Sequence, residues 1–118
     1  MPTVAFIGLG NMGGPMAKNL LKANWEVTAF DLSESALSDV VAAGAVAAPS
    51  ATDATSGADV IVSMLPAGKH VESVMLGDTG IFSCLPKGTL VLDASTIDTA
   101  TARELHAAAR SVGIEFMD

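Results

Sequence analysis

Four glycines, Gly8, Gly10, Gly13 and Gly14, follow the apolar stretch TVAFI near the start of the chain. Glycine costs about 0.5–1 kcal/mol more than alanine to order in a helix or strand, so this density needs a reason. Three of the glycines have the spacing G-x-G-x-x-G, in which a tight turn, a close backbone approach and close helix packing each require glycine. Backbone N–H groups at the start of the next helix attract an anion. The pattern therefore predicts a site for the pyrophosphate of a dinucleotide.

An acidic residue downstream supports this prediction. Asp31 comes at the end of a second predicted strand, directly after its last residue. Its distance from the glycines is close to the ~20-residue spacing at which a carboxylate accepts hydrogen bonds from the adenosine ribose. Asp31 also favours NAD over NADP, because a 2′-phosphate beside a carboxylate would meet like charge. No arginine lies near Asp31 in the sequence to bind that phosphate, since the first arginine in the chain is Arg103. The alternatives are a glycine-rich turn without a ligand and an aspartate that only begins the next helix.

Short β-branched segments alternate with longer segments rich in alanine and leucine. Continuous apolar strands of this kind are typical of a parallel sheet covered on both faces. We predict strands at 3–7, 26–30, 45–48, 59–64, 89–93 and 114–117. We predict helices at 11–23, 33–43, 50–56, 67–76 and 98–112, with N-caps at Ser33 and Asp98 and stops at Gly44 and Gly113. The fold class is therefore α/β: one dinucleotide-binding domain over residues 1–118, with a doubly wound Rossmann-type parallel sheet of six strands in the order 3-2-1-4-5-6.

Two further loops end neighbouring strands of this predicted sheet. Leu65 and Pro66 follow the fourth strand, and Ser95 and Thr96 follow the fifth. Ligands of such sheets lie beyond the carboxyl ends of the strands, near the switch in strand order, so both loops are expected to border the cofactor. Each loop could equally be a plain turn followed by a helix N-cap. His70 is expected to be a helix-surface residue.

Composition and charge restrict the classes of partner. The net charge of −7 opposes binding to nucleic acid or to anionic membranes. No apolar run approaches the ~18 residues of a membrane-spanning helix, and the N-terminus lacks the basic start of a secretory signal. The single Cys84 cannot form an internal disulfide, and nothing around it suggests a metal site. We therefore expect a cytoplasmic protein without nucleic-acid, membrane or metal partners.

The segments GLGNMGGPMAKNL, MLPAG and LVLDASTIDTATAREL occur in this order. Together they resemble the β-hydroxyacid dehydrogenases, nearest to the branch that acts on 3-hydroxyisobutyrate, over all 118 residues. The resemblance implies that Ser95 and Thr96 border the substrate and that the glycine loop and its neighbours hold NAD. The implied cofactor-binding residues are Gly8, Leu9, Gly10, Asn11, Met12, Gly13, Asp31, Leu65, Pro66 and Thr96.

The same resemblance implies an activity. Such enzymes oxidise the hydroxyl of a small 3-hydroxy acid to a semialdehyde and pass the hydride to NAD. The resemblance also implies a homo-oligomeric full-length protein that acts in the degradation of valine and other branched-chain amino acids. Related enzymes that act on tartronate semialdehyde, 4-hydroxybutyrate, 6-phosphogluconate or imines are alternatives. A module that senses NAD(H) without performing chemistry is a further alternative.

The chain departs from the family pattern in its length. Family members continue into a Ser-Gly-Gly segment and a mostly helical substrate domain, which carries the catalytic lysine and a helping asparagine. That domain is absent from these 118 residues. Lys18, Lys22, Lys69 and Lys87 do not match the motif of that lysine, so no catalytic residue is assigned here. The chain alone is therefore expected to be inactive.

Overall fold

A computed structural model of the protein describes residues 2–118. Six parallel strands form one sheet in the order β3-β2-β1-β4-β5-β6. The strands are β1 (Thr3–Ile7), β2 (Glu26–Phe30), β3 (Val46–Ala47), β4 (Val60–Ser63), β5 (Leu90–Asp93) and β6 (Glu115–Met117). The helices are α1 (Gly13–Lys22), α2 (Glu34–Ala42), α3 (Ala51–Thr55), α4 (Gly68–Met75) and α5 (Thr99–Ser111). The predicted fold and strand order are confirmed, and the ends of the elements differ from the predicted ones by at most two residues.

One short element was not predicted. Ile81–Ser83 forms a 3-10 helix between α4 and β5. Its three residues are too few to show a helical period in the sequence. Ile81 and Phe82 are buried in the core, so tertiary packing holds this turn in place.

Apolar residues cover both faces of the sheet. Successive side chains of β1 point to opposite faces. Val4 and Phe6 pack in one cluster with Ala17 of α1 and residues of α2, whereas Ala5 and Ile7 pack in a second cluster with residues of α4 and α5. Burial on both faces explains why the central strands are continuously apolar.

The predicted helix ends are confirmed. The Ser33 hydroxyl accepts a hydrogen bond from the N–H of Ala36 at 3.3 Å, and Asp98 Oδ1 accepts one from the N–H of Thr101 at 2.7 Å. Gly44 and Gly113, which follow α2 and α5, have positive φ angles. Among residues 2–118, no helix has the length and apolar content needed to span a bilayer.

Candidate cofactor site

The glycine loop joins β1 to α1 at the carboxyl edge of the sheet. Gly8 has a φ angle of +97°, and a Cβ at this position would overlap the carbonyl oxygen of Met64, which follows β4. A Cβ on Gly13 would overlap the carbonyl oxygen of Gly8. Glycine is therefore required at both positions by the chain itself, because it lets the loop lie between β4 and α1.

Gly10 differs from these two glycines because the space beside it is open. A Cβ built on Gly10 would meet no heavy atom of the described residues within 4 Å, and the residue is exposed. Packing within the chain therefore does not require glycine at this position. A bound group that lies against the backbone would require it, as expected for a pyrophosphate.

Helix α1 begins beside this open space. Met12 occupies its N-cap position and makes no side-chain cap hydrogen bond, whereas α2, α3 and α5 each have a serine or aspartate cap. Helix α4 also begins without a cap, so a bare N-terminus alone does not identify the site. Within the first turn of α1, the N–H of Gly14 donates to the carbonyl of Gly10 at 3.1 Å, and Pro15 has no N–H. The N–H of Gly13, next to the glycine loop, is available to an anion, which the positive end of the helix dipole favours.

Asp31 directly follows β2 and contacts the glycine loop. Its Oδ2 accepts a hydrogen bond from the N–H of Leu9 at 2.6 Å, and its Oδ1 accepts one from the N–H of Ser33 at 2.7 Å. The N–H of Gly8 also donates to the carbonyl of Phe30 at 3.0 Å. Each carboxylate oxygen has a further lone pair, so Asp31 can still accept a hydrogen bond from a hydroxyl group of a ligand. The carboxylate therefore also holds the glycine loop, a role that the sequence analysis missed.

A cavity of about 800 Å³ lies at this edge of the sheet. Its volume falls within the ~300–1,000 Å³ typical of small-molecule sites. Four predicted cofactor-binding residues line it together: Gly8, Asp31, Leu65 and Pro66. The structure therefore brings the ends of β1, β2 and β4 to one site, as the parallel sheet requires.

The cavity wall also contains residues that the sequence analysis did not assign to the site. Ser50 and Thr52 come from the start of α3, and His70 and Val74 come from α4. His70 is exposed, as expected, but it faces this cavity. One signal was available in the sequence, because a helix that follows a parallel strand begins at the carboxyl edge of the sheet. The N-terminus of α3 therefore had to lie near Asp31.

Other predicted residues lie outside the cavity wall. The side chain of Leu9 is buried in the core, so only its backbone can face a ligand. Asn11 and Met12 are exposed at the start of α1, and Thr96 is exposed after β5. Their cofactor contacts, like those of Gly10 and Gly13, stay predictions.

Ser95 links the loops that follow β4 and β5. Its hydroxyl donates to Asp93 Oδ1 at 2.6 Å and accepts the N–H of Leu65 at 2.7 Å. The only hydroxyl proton is thus directed into the protein, so a substrate would find Ser95 Oγ only as an acceptor. Its predicted contact with substrate stays a prediction. Within residues 2–118, no group of three or more His, Cys, Asp or Glu residues could hold a metal ion.

Comparisons with known proteins agree with this geometry. Residues 3–118 match the family described as the NAD binding domain of 6-phosphogluconate dehydrogenase. An NAD-dependent L-serine dehydrogenase from Pseudomonas aeruginosa is 55% identical over 118 residues, and a 3-hydroxyisobutyrate dehydrogenase from the same organism is 49% identical over 118 residues. Both matches cover 100% of this chain and 40% of the relative.

A solved structure gives the same result at the level of the backbone. The structure of Mycobacterium tuberculosis 3-hydroxyisobutyrate dehydrogenase with L-serine has a TM-score of 0.92 and 41% sequence identity. The match covers 98% of this chain and 39% of that one. The chain therefore spans about 40% of the length of the relatives it matches.

Proposed function

Since the chain belongs to the family of NAD-binding domains of 6-phosphogluconate dehydrogenase, we propose that it is the cofactor half of an NAD-dependent dehydrogenase for a small 3-hydroxy acid. The observation that carries this proposal is the open space at Gly10 beside the uncapped start of α1. No packing within the described residues explains a glycine there. A pyrophosphate lying against the backbone explains it.

Each part of the site has a role in this proposal. The loop from Gly8 to Gly13 holds the pyrophosphate, and Asp31 accepts hydrogen bonds from the ribose hydroxyls of the adenosine half. The loops at Leu65–Pro66 and Ser95–Thr96 border the nicotinamide half, because they follow strands on the other side of β1 from Asp31. Bound NAD supplies the hydride acceptor. The chain binds it and orients it toward the carboxyl edge of the sheet.

Asp31 carries the proposed preference for NAD over NADP. A 2′-phosphate at the adenosine ribose would lie beside this carboxylate, and like charges in such contact cost several kcal/mol. The preference is tested by titrating NAD and NADP against wild type, Asp31→Asn and Asp31→Ala. We expect Asp31→Ala to weaken NAD binding about 10- to 100-fold, since a hydrogen bond to a charged group is worth about 1.5–3 kcal/mol. Asp31→Asn should bring the Kd for NADP closer to the Kd for NAD, because it removes the negative charge that repels the 2′-phosphate.

Asp39→Asn is the matched control for net charge. Asp39 lies on α2, is exposed, and pairs with Lys18 at 2.7 Å. It lies outside the cavity wall, so its substitution should leave the NAD/NADP ratio unchanged. A ratio that stays the same in Asp31→Asn would show that Asp31 does not lie at the ribose.

For the substrate we propose 3-hydroxyisobutyrate, with L-serine as a second candidate. The second candidate is favoured by the 55% identity to an L-serine dehydrogenase. Both compounds are carboxylic acids with a hydroxyl on C3, and they differ at C2, which carries a methyl group in one and an ammonium in the other. The whole protein that contains this domain should be assayed for NADH formation with each. If the whole protein turns over neither compound, the proposal that its substrate is a 3-hydroxy acid is refuted.

We also propose that the catalytic lysine expected from the family lies beyond Asp118. Lys18 of α1 forms an ion pair with Asp39 of α2. It does not line the cavity. The downstream coding sequence tests this proposal. A lysine on a helix after a Ser-Gly-Gly segment would support the dehydrogenase, and a different residue at that position would contradict it.

A further inference from the structure

Asp93 is a buried carboxylate to which the proposed function gives no role. It ends β5 and is 1% exposed. Three donors converge on its Oδ1: the hydroxyl of Ser63 at 2.7 Å, the hydroxyl of Ser95 at 2.6 Å and the N–H of Ser95 at 3.3 Å. Its Oδ2 is buried and has no hydrogen-bond partner among residues 2–118. Because burying an incompletely paired carboxylate is unfavourable, stability alone does not account for this residue.

Ser95 extends the effect of Asp93 to a second loop. The hydroxyl of Ser95 donates a hydrogen bond to Asp93, so a lone pair of Oγ is left to accept a hydrogen bond from the N–H of Leu65 at 2.7 Å. Without Asp93, that hydroxyl would be free to rotate and its lone pairs would lose their fixed direction. Asp93 therefore determines whether Ser95 can hold the backbone at Leu65.

We propose that Asp93 is a positioning residue that acts through Ser95 to hold the Leu65–Pro66 loop beside the cofactor cavity. This inference rests on the proposed function, in which the loop borders the nicotinamide half of NAD. Leu65 and Pro66 line the cavity, whereas Asp93 does not. Asp31 holds the glycine loop independently, on the adenosine side. Loss of Asp93 therefore loosens the contacts with nicotinamide and leaves those with adenosine in place.

Two serine variants separate this role from a general effect on stability. Ser63→Ala and Ser95→Ala each remove one hydroxyl from Asp93 Oδ1, at 2.7 and 2.6 Å respectively. Only Ser95→Ala also leaves the N–H of Leu65 without its acceptor. Ser63→Ala is therefore the matched control for a lost hydrogen bond to the same carboxylate.

The first measurement compares NAD with ADP-ribose, which lacks nicotinamide, for binding to the 118-residue chain. We expect Ser95→Ala and Asp93→Ala to weaken NAD relative to ADP-ribose by about 2- to 10-fold, the size of one lost hydrogen bond. Ser63→Ala should leave that ratio at the wild-type value. Asp93→Asn should restore it, since the amide oxygen still accepts from both serines and the residue itself does not contact the cofactor.

The second measurement is hydrogen exchange of the Leu65 amide by NMR, which needs no ligand and keeps the proposal testable if Asp93→Ala folds poorly. Exchange should accelerate in Ser95→Ala and stay slow in Ser63→Ala and Asp93→Asn. The positioning role alone would be overturned if the ratio of the Kd for NAD to the Kd for ADP-ribose were equal in Ser95→Ala and Ser63→Ala. It would also be overturned if exchange of the Leu65 amide were unchanged in Ser95→Ala. A wild-type chain that binds neither ligand would refute the proposed function and the positioning role together.

Discussion

Replacing Gly10 with alanine should leave the domain folded and impair dinucleotide binding. The added Cβ meets no described heavy atom within 4 Å, and Gly10 is not among the glycines with positive φ. Exchanging glycine for alanine at such a position stabilises a protein by about 0.4–1 kcal/mol, so the free energy of unfolding should not fall. The same methyl group occupies the space proposed for the pyrophosphate. Loss of one hydrogen bond to a charged group costs about 1.5–3 kcal/mol, which raises the Kd for NAD about 10- to 100-fold.

Two other glycines provide the comparison. Gly13→Ala would place a Cβ against the carbonyl of Gly8, and also 3.4 Å from the ring of Phe6, so it should lower the free energy of unfolding by about 1–3 kcal/mol. Gly57→Ala lies away from the cavity in open space, but with a φ angle of +75°. It should cost about 1–2 kcal/mol in stability and leave the Kd for NAD unchanged.

Urea unfolding, followed by the fluorescence of the single tryptophan Trp25, reports the stability of each variant, and calorimetry reports NAD binding. The reasoning requires opposite patterns: weak binding without lost stability for Gly10→Ala, and lost stability without weak binding for Gly57→Ala. If Gly10→Ala binds NAD as tightly as the wild type, the pyrophosphate does not lie against Gly10. If that variant unfolds more easily, the space beside Gly10 is not open.

Three further predictions concern a helix cap, a carboxylate pair and catalysis. Ser33→Ala removes the hydroxyl that accepts the N–H of Ala36 at 3.3 Å, so urea titration should show a loss of about 0.5–2 kcal/mol. A hydrogen bond with Glu104, and then the like charge of that residue, raises the pKa of Glu72 above its ordinary value of 4.5. The folded state therefore binds a proton more tightly than the unfolded state, and stability falls as the pH rises through the raised pKa. We expect urea midpoints measured between about pH 4 and pH 8 to fall less in Glu104→Gln than in the wild type. Finally, the 118-residue chain should form no NADH from 3-hydroxyisobutyrate, because the proposed function places the lysine that takes the proton beyond Asp118. Turnover above background would contradict that placement.

Most of the fold could be predicted from the sequence because the signals were local. Caps such as Ser33 and Asp98 satisfy backbone groups within a few residues, and continuous apolar strands indicate burial on both faces. The meeting of Gly8, Asp31 and Leu65 at one cavity also followed from topology, since the carboxyl ends of parallel strands share one edge of the sheet.

The bonds that hold the site together could not be predicted in the same way. Ser63 and Asp93 are register partners in neighbouring strands, and register depends on how whole strands align. The contact between Asp31 and the N–H of Leu9 depends on the path of the glycine loop. These contacts join residues far apart in the chain, and residue type alone does not specify them.

The central place of β1 also affects how the domain is made. This strand leaves the ribosome before both of its neighbours in the sheet, β2 and β4. At about 5–20 residues per second, the ~30 residues between Phe30 and Val60 take about 2–6 s to synthesise. During that time one edge of β1 has no partner strand, and side chains such as Phe6, which end fully buried, lack part of their cover. The nascent chain is therefore most exposed to chaperones, and to aggregation, before β4 emerges.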